Sequence, residues 1–141
     1  MDRGIEMTVI WFDDDLIELR VRASNGTFSG EADAYVSHSV STDLARVLRG
    51  FPADINDGRE FELGTFDPQC AGGGARFRFR CLDRKGHASV EVNLRADVHR
   101  LGAQSAIFLV PIEAAGVDAF ADELTRMPLE IGARAVLRGA A

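Results

Sequence analysis

The sequence predicts an α+β domain dominated by β-structure: about seven mainly antiparallel strands in a curved sheet or compact sandwich, with two short amphipathic helices. Three observations predict it. Short runs of alternating apolar and polar residues recur along most of the chain. Turn-forming pairs and clusters separate those runs. Only two segments switch to helical periodicity, and each ends at a proline.

The first run is Ile5 to Phe12. Ile5, Met7, Val9 and Trp11 share one face, with Ile10 and Phe12 on the other, so a strand covered on both sides is expected. Asp13-Asp14-Asp15 cannot lie inside a sheet and marks a turn. Leu16 to Ala23 alternates Ile17, Leu19, Val21 and Ala23 against Glu18, Arg20 and Arg22. Asn25-Gly26 tolerates positive φ at both positions and signals a hairpin. The return runs from Thr27 to about His38, with Phe28, Ala32, Ala34 and Val36 inward. These three strands read as an antiparallel meander.

Ser41-Thr42-Asp43 supplies cap side chains for a helix whose stripe is Leu44, Val47, Leu48 and Phe51. Gly50 suits the residue after its end, and Pro52 stops it. A polar connection, Ala53 to Gly58, leads to a strand with Phe61 and Leu63 inward and Glu60 and Glu62 outward. Gly72-Gly73-Gly74 reads as a mobile loop near Cys70. The clearest hairpin follows, turning at Asp83-Arg84-Lys85-Gly86. Phe77, Phe79 and Cys81 face inward from its first strand; Ala88, Val90, Val92 and Leu94 face inward from its second. Opposed residues share a face, so paired numbers must have an odd sum. A sum of 169 sets Arg78 beside Glu91; a sum of 171 sets Arg80 there. After a loop over 98–103, Ala106 to Ile112 is a further strand. A helix near Ala115 to Met127 buries Val117, Phe120, Ala121, Leu124 and Met127. Residues 129–141 read as a tail or as a late edge strand at Leu129-Ile131-Ala133.

The chain has 141 residues, of which 46% are hydrophobic. This suits a single domain over 1–141 with one proper core. No internal repeat is visible. The longest apolar run falls well short of the roughly 20 residues a membrane span needs. The polar start, Met1 to Glu6, lacks the pattern of a secretory signal. Two cysteines are too few for a disulfide framework, and Cys81 sits at an inward position. A soluble cytoplasmic protein is expected.

Net charge is −6. Residues 1–75 carry six basic and 14 acidic side chains, whereas residues 76–100 carry seven basic and three acidic. An acidic chain with one basic hairpin does not suit nucleic acid, which attracts a broad positive field.

Candidate chemistry is sparse. The three acids of Asp13, Asp14 and Asp15 could face a cation or a basic partner. Adjacent acids do not wrap an ion, however, and no turn glycine stands among them, so a solvated turn is the plainer expectation. His38, His87 and His99 lack partners at zinc-ligand spacing. Cys70 has no flanking nucleophile signature, and no Gly-x-Ser-x-Gly occurs. The three glycines lead into a strand and not into a phosphate-binding helix. No catalytic residue, metal or cofactor is therefore expected. Arg76, Arg78, Arg80 and Arg95 form the one unusual pattern, all on one face of the hairpin. They could bind an anionic partner surface, or form cross-strand pairs with Glu91 and with Glu60 or Glu62.

The layout of strands, capped helix and strands also resembles a family. So do the charged hairpin turning at Asp83-Arg84-Lys85-Gly86-His87, the strand Val90-Glu91-Val92-Asn93-Leu94 and the closing Val117-Asp118-Ala119-Phe120. Over about residues 7–127 it is similar to small bacterial β-rich proteins that include immunity partners of polymorphic toxins, the WapI-type immunity group. It departs from them in having one tryptophan, Trp11. The resemblance implies a non-enzymatic binding protein that neutralises a toxin, and the acidic first half of the chain fits a partner with a basic surface. The alternative expectation is a β-domain holding a small ligand between sheet and helices. Self-association is expected, if at all, through an edge strand or the C-terminal tail.

Overall fold

A computed structural model describes every residue except Met1, His99 and Ala141. Eight strands form two four-stranded antiparallel sheets, so the sandwich form of the expected fold is the one adopted. The first sheet has the order β3-β2-β1-β8, built from β1 (Gly4–Phe12), β2 (Leu16–Ser24), β3 (Ser29–Ser37) and β8 (Arg134–Arg138). The second has the order β4-β5-β6-β7, from β4 (Gly58–Gly64), β5 (Gly74–Cys81), β6 (His87–Val98) and β7 (Gly102–Glu113). The helices α1 (Val40–Leu48) and α2 (Ala114–Arg126) each carry the chain from one sheet to the other.

The connectivity repeats although the sequence does not. The strands β4 to β7 form a meander followed by α2. If the chain ends were joined, β8, β1, β2 and β3 would form the same meander followed by α1. The ends do lie together: the Gly139 amide donates to the Arg3 carbonyl at 2.9 Å.

One apolar cluster fills the space between the sheets, and Leu44, Leu48, Val117, Phe120 and Leu124 of the helices join it. The inward alternations expected for β2, β5 and β6 are all buried. Phe61, Phe77, Val92 and Phe108 stand opposite one another in a single row across the second sheet. The β5–β6 register has the sum of 169, pairing Phe79 with Val90 and Arg78 with Glu91.

Several details differ from the sequence expectation. The β1 ladder shifts register between Val9 and Trp11, so Ile10 is the extra residue of a bulge. The bulge reverses the faces: Trp11 pairs with Glu18 and turns outward, and β1 is covered on one side only. Phe28 lies outside β3 and is exposed. The first helix begins at Val40, whose burial against the core draws the start forward, so Ser41, Thr42 and Asp43 lie within it rather than capping it. Gly50 does take positive φ after the helix end. The tail is neither free nor a strand at 129–133. Alternation continues to Ala135 and Leu137, and burial beside β1 selects those residues as β8, leaving Leu129 and Ile131 exposed. Two of the three glycines, Gly72 and Gly73, provide close approach to the first sheet, against Tyr35 and the Asp33 carbonyl. The Gly73 amide donates to the Asp33 carbonyl of β3 at 2.8 Å, and a Cβ on Gly73 would collide with the Arg95 carbonyl.

Candidate functional site

The arginine face forms as expected for three of its four members. Arg76, Arg78 and Arg80 project from the outer face of β5, and acids on both neighbouring strands answer them. Arg76 reaches Glu62 at 3.0 Å, Arg78 reaches Glu60 at 3.0 Å, and Glu91 lies 4.0 Å from Arg78. The Arg76 guanidinium also lies over the Phe66 ring, 4.5 Å from its centre. The cross-strand pairing expected from the sequence is therefore present; of these three arginines, Arg80 has no ion pair with another described residue. Arg95 differs. Alternation puts it on the same face, but the loop before β5 covers it. It is only 5% exposed and donates to the Gly72 carbonyl at 3.2 Å. It holds that loop and offers nothing to a partner. The sequence could not show this, because a covering loop leaves no mark in strand periodicity.

The outer face of the first sheet carries a different arrangement. Its topmost row runs Trp11, Glu18, Tyr35 across β1, β2 and β3. The two aromatic rings meet edge to face at 6.4 Å, yet remain 42% and 39% exposed. In the next row Arg20 forks onto Asp33 at 2.9 and 3.0 Å, and below it Arg22 reaches Glu31 at 3.3 Å. Tyr35, Glu18 and Asp33 open onto a cleft of about 420 Å³, which Gly72 of the loop before β5 and Asp97 of β6 close from the other side. Glu31 lines it too, so four carboxylates face this space. Arg20 and Arg22 hold two of them; Glu18 and Asp97 have no ion pair among the described residues. Repulsion by Glu18 holds the Tyr35 phenol above its usual range, so it stays a neutral hydrogen-bond donor.

The Asp13-Asp14-Asp15 turn lies at the end of this face, beyond Trp11. Asp13 holds the turn together. Its carboxylate accepts from the amides of Asp15 and Leu16 at 2.8 and 2.7 Å, and these bonds lower its pKa. Asp14 and Asp15 are exposed and add to the negative field. The acidic, aromatic site could be suspected from the acidic first half of the chain. The bulge that brings Trp11 onto it could not.

The other reactive side chains lie apart. His38 bonds to the Asp13 carbonyl, and His87 lies 2.5 Å from Asp83 in the β5–β6 turn, lowering the Asp83 pKa. His99 lies outside the described residues. Cys70 is exposed and Cys81 is buried against the Asp83 carbonyl. Among the described residues no three His, Cys, Asp or Glu side chains form a metal-sized group, and no helix is long and apolar enough to cross a membrane. The cavity between the first sheet and the helices, lined by Met7, Leu19, Leu44 and Leu124, holds about 40 Å³. Ligand sites occupy roughly 300–1,000 Å³, so this cavity is well below that size.

Compared with protein-family models, curated proteins and solved structures, the chain gives no match.

Proposed function

We propose that this is a non-enzymatic binding protein whose acidic, aromatic end of the first sheet receives a protein with a basic surface. The partner of the immunity-type reading is a toxin. One observation carries the proposal: Glu18 and the exposed Tyr35 line a cleft faced by four carboxylates, and the exposed Trp11 ring adjoins them on the neighbouring strand, edge to face with Tyr35. Tyrosine and tryptophan are favoured at interface centres because they supply large contact area at little entropic cost. Unpaired carboxylates around them steer a basic partner and speed association. The second-sheet arginines are a weaker candidate, because Glu60, Glu62 and Glu91 already neutralise most of their field.

The test is co-expression with a toxin domain encoded beside the gene, followed by binding kinetics on the purified pair. A one-to-one complex that restores growth and associates more slowly at high salt is the expected result. Trp11→Ala is expected to weaken the complex by about 2 kcal/mol, roughly thirtyfold, mostly by faster dissociation. Glu18→Lys is expected to act mainly on the association rate. Arg76→Ala with Arg78→Ala should leave affinity nearly unchanged. Wild-type binding by a Trp11→Ala/Tyr35→Ala protein would remove this face as the site. Strong loss on changing the arginines instead would transfer it to the second sheet.

A further inference from the structure

A β-sandwich has four edge strands, and an unprotected edge invites another strand. Three edges here are blunted. On β3 the Asp33 carbonyl already accepts from Gly73, and Glu31 and Asp33 add charge. On β4, Arg59, Glu60 and Glu62 crowd the strand with charge. The strand β8 has five residues, carries Arg134 and Arg138, and lies beside α2.

The fourth edge, β7, is unlike these. From Gly102 to Ile112 it contains no charged residue. Its second half is closed: the Asn25 side chain donates to the Leu109 carbonyl at 2.9 Å, and the Ala140 amide to the Pro111 carbonyl at 2.8 Å. Those bonds show that odd-numbered residues of β7 direct their backbone groups away from β6, since both groups of a strand residue point the same way. Ala103, Ser105 and Ile107 therefore present free N–H and C=O groups. Among the described residues none of them bonds beyond the β6 ladder.

We propose that the first half of β7 pairs antiparallel with the same segment of a second copy, centred on Ser105. The segment complements itself about that residue. Ser105 would face its own counterpart, and Ala103 would face Ile107 of the second copy, and reciprocally. All are outward-directed positions, so the pairing forms about six backbone hydrogen bonds. The same register carries Leu101 toward Leu109 of the second copy. These residues are 72% and 57% exposed in the single chain, and both would gain apolar cover. A neutral segment brings no like-charge repulsion to the seam, although each whole chain carries −6. The small side chains of Ala103 and Ser105 allow close approach. Two four-stranded sheets would become one of eight strands. The tail, the other expected route to self-association, is already committed to the first sheet as β8.

Light scattering on a concentration series tests the proposal. The wild-type chain is expected to move from 15.3 kDa toward twice that mass, and Ser105→Lys to stay at 15.3 kDa with an unchanged circular dichroism spectrum. A wild-type chain that remains monomeric throughout would overturn it. So would a dimer that survives Ser105→Lys. If the lysine variant does not fold, cysteine trapping in a Cys70→Ser background decides. Ser105→Cys should cross-link to itself, because directly opposed Cα atoms lie within disulfide reach. Ala103→Cys should not cross-link alone, since the two copies of residue 103 would be about 13 Å apart, but it should when mixed with Ile107→Cys. Equal self-cross-linking at 103, 105 and 107, or none, would refute the pairing.

Discussion

Replacing Phe77 by alanine is expected to destabilise the fold by about 3–5 kcal/mol, a large share of the roughly 5–15 kcal/mol that holds a domain together. Phe77 is completely buried and stands at the centre of the row that also holds Phe61, Val92 and Phe108. Its neighbours are strand residues locked by ladders on both sides, because β5 pairs with β4 and β6 along its length. They cannot collapse into the space the ring vacates, so a cavity term adds to the lost transfer energy. Urea unfolding of the two proteins gives the difference. A loss below about 1.5 kcal/mol would mean that the core relaxes far more than its packing implies. Phe28→Ala is the control: that ring is exposed, and its loss should change stability by less than about 0.5 kcal/mol.

Arg59→Ala is expected to cost about 1.5–3 kcal/mol, the range of hydrogen bonds made by charged groups. Its guanidinium donates to the carbonyls of Val47 and Arg49 at 2.8 and 2.6 Å, satisfying groups left free at the end of α1. It also bonds both oxygens of Asp57, at 3.2 and 2.8 Å, and lies 5.4 Å from the centre of the Phe51 ring. Removing it leaves Asp57, only 13% exposed, without its counter-charge. Arg59→Lys keeps the charge but not the planar fork, and should recover part of the loss.

The same pair sets an acid sensitivity. The Arg59 guanidinium, then the Ala53 amide, hold the Asp57 carboxyl below its ordinary value of 3.8. A carboxyl lowered in the folded state stabilises the fold fully above that value, and the stabilisation disappears as pH falls below it. Asp13, Asp83 and Asp122 are shifted in the same direction, by the Leu16 amide, His87 and Arg49 respectively. Stability should therefore be level from neutral pH to about 5 and fall steeply below about 4. Asp57→Asn should begin lower and fall less. Equal slopes for the two proteins would show that Asp57 is not among the groups responsible.

Local physics made much of this fold legible. The β5–β6 hairpin reads directly from its alternation, since an even register would bury an arginine. Gly50 and Pro52 mark the end of α1 for backbone reasons alone. The failures occur where a distant part of the chain decides. Two alternating series, 129–133 and 135–137, compete for one strand, and only the space beside β1 chooses between them. The bulge at Ile10 turns Trp11 outward, although unbroken alternation places it with Val9. Arg95 has the sequence position of a surface residue and is buried by a loop some 20 residues earlier in the chain.

The candidate site divides in the same way. A β-rich domain with an apolar core, an acidic first half and a hairpin of alternating arginines all follow from the order of residues. These are matters of periodicity and charge, and they need no knowledge of which strands meet. Folding was required to set the arginines against Glu60 and Glu62, and to line up Trp11, Glu18 and Tyr35 beside a carboxylate cleft. Folding also left the first half of the β7 edge without a backbone partner among the described residues. Such neighbours come from strands paired across turns, bulges and sheets, and no local pattern specifies side chains brought together from distant parts of the chain.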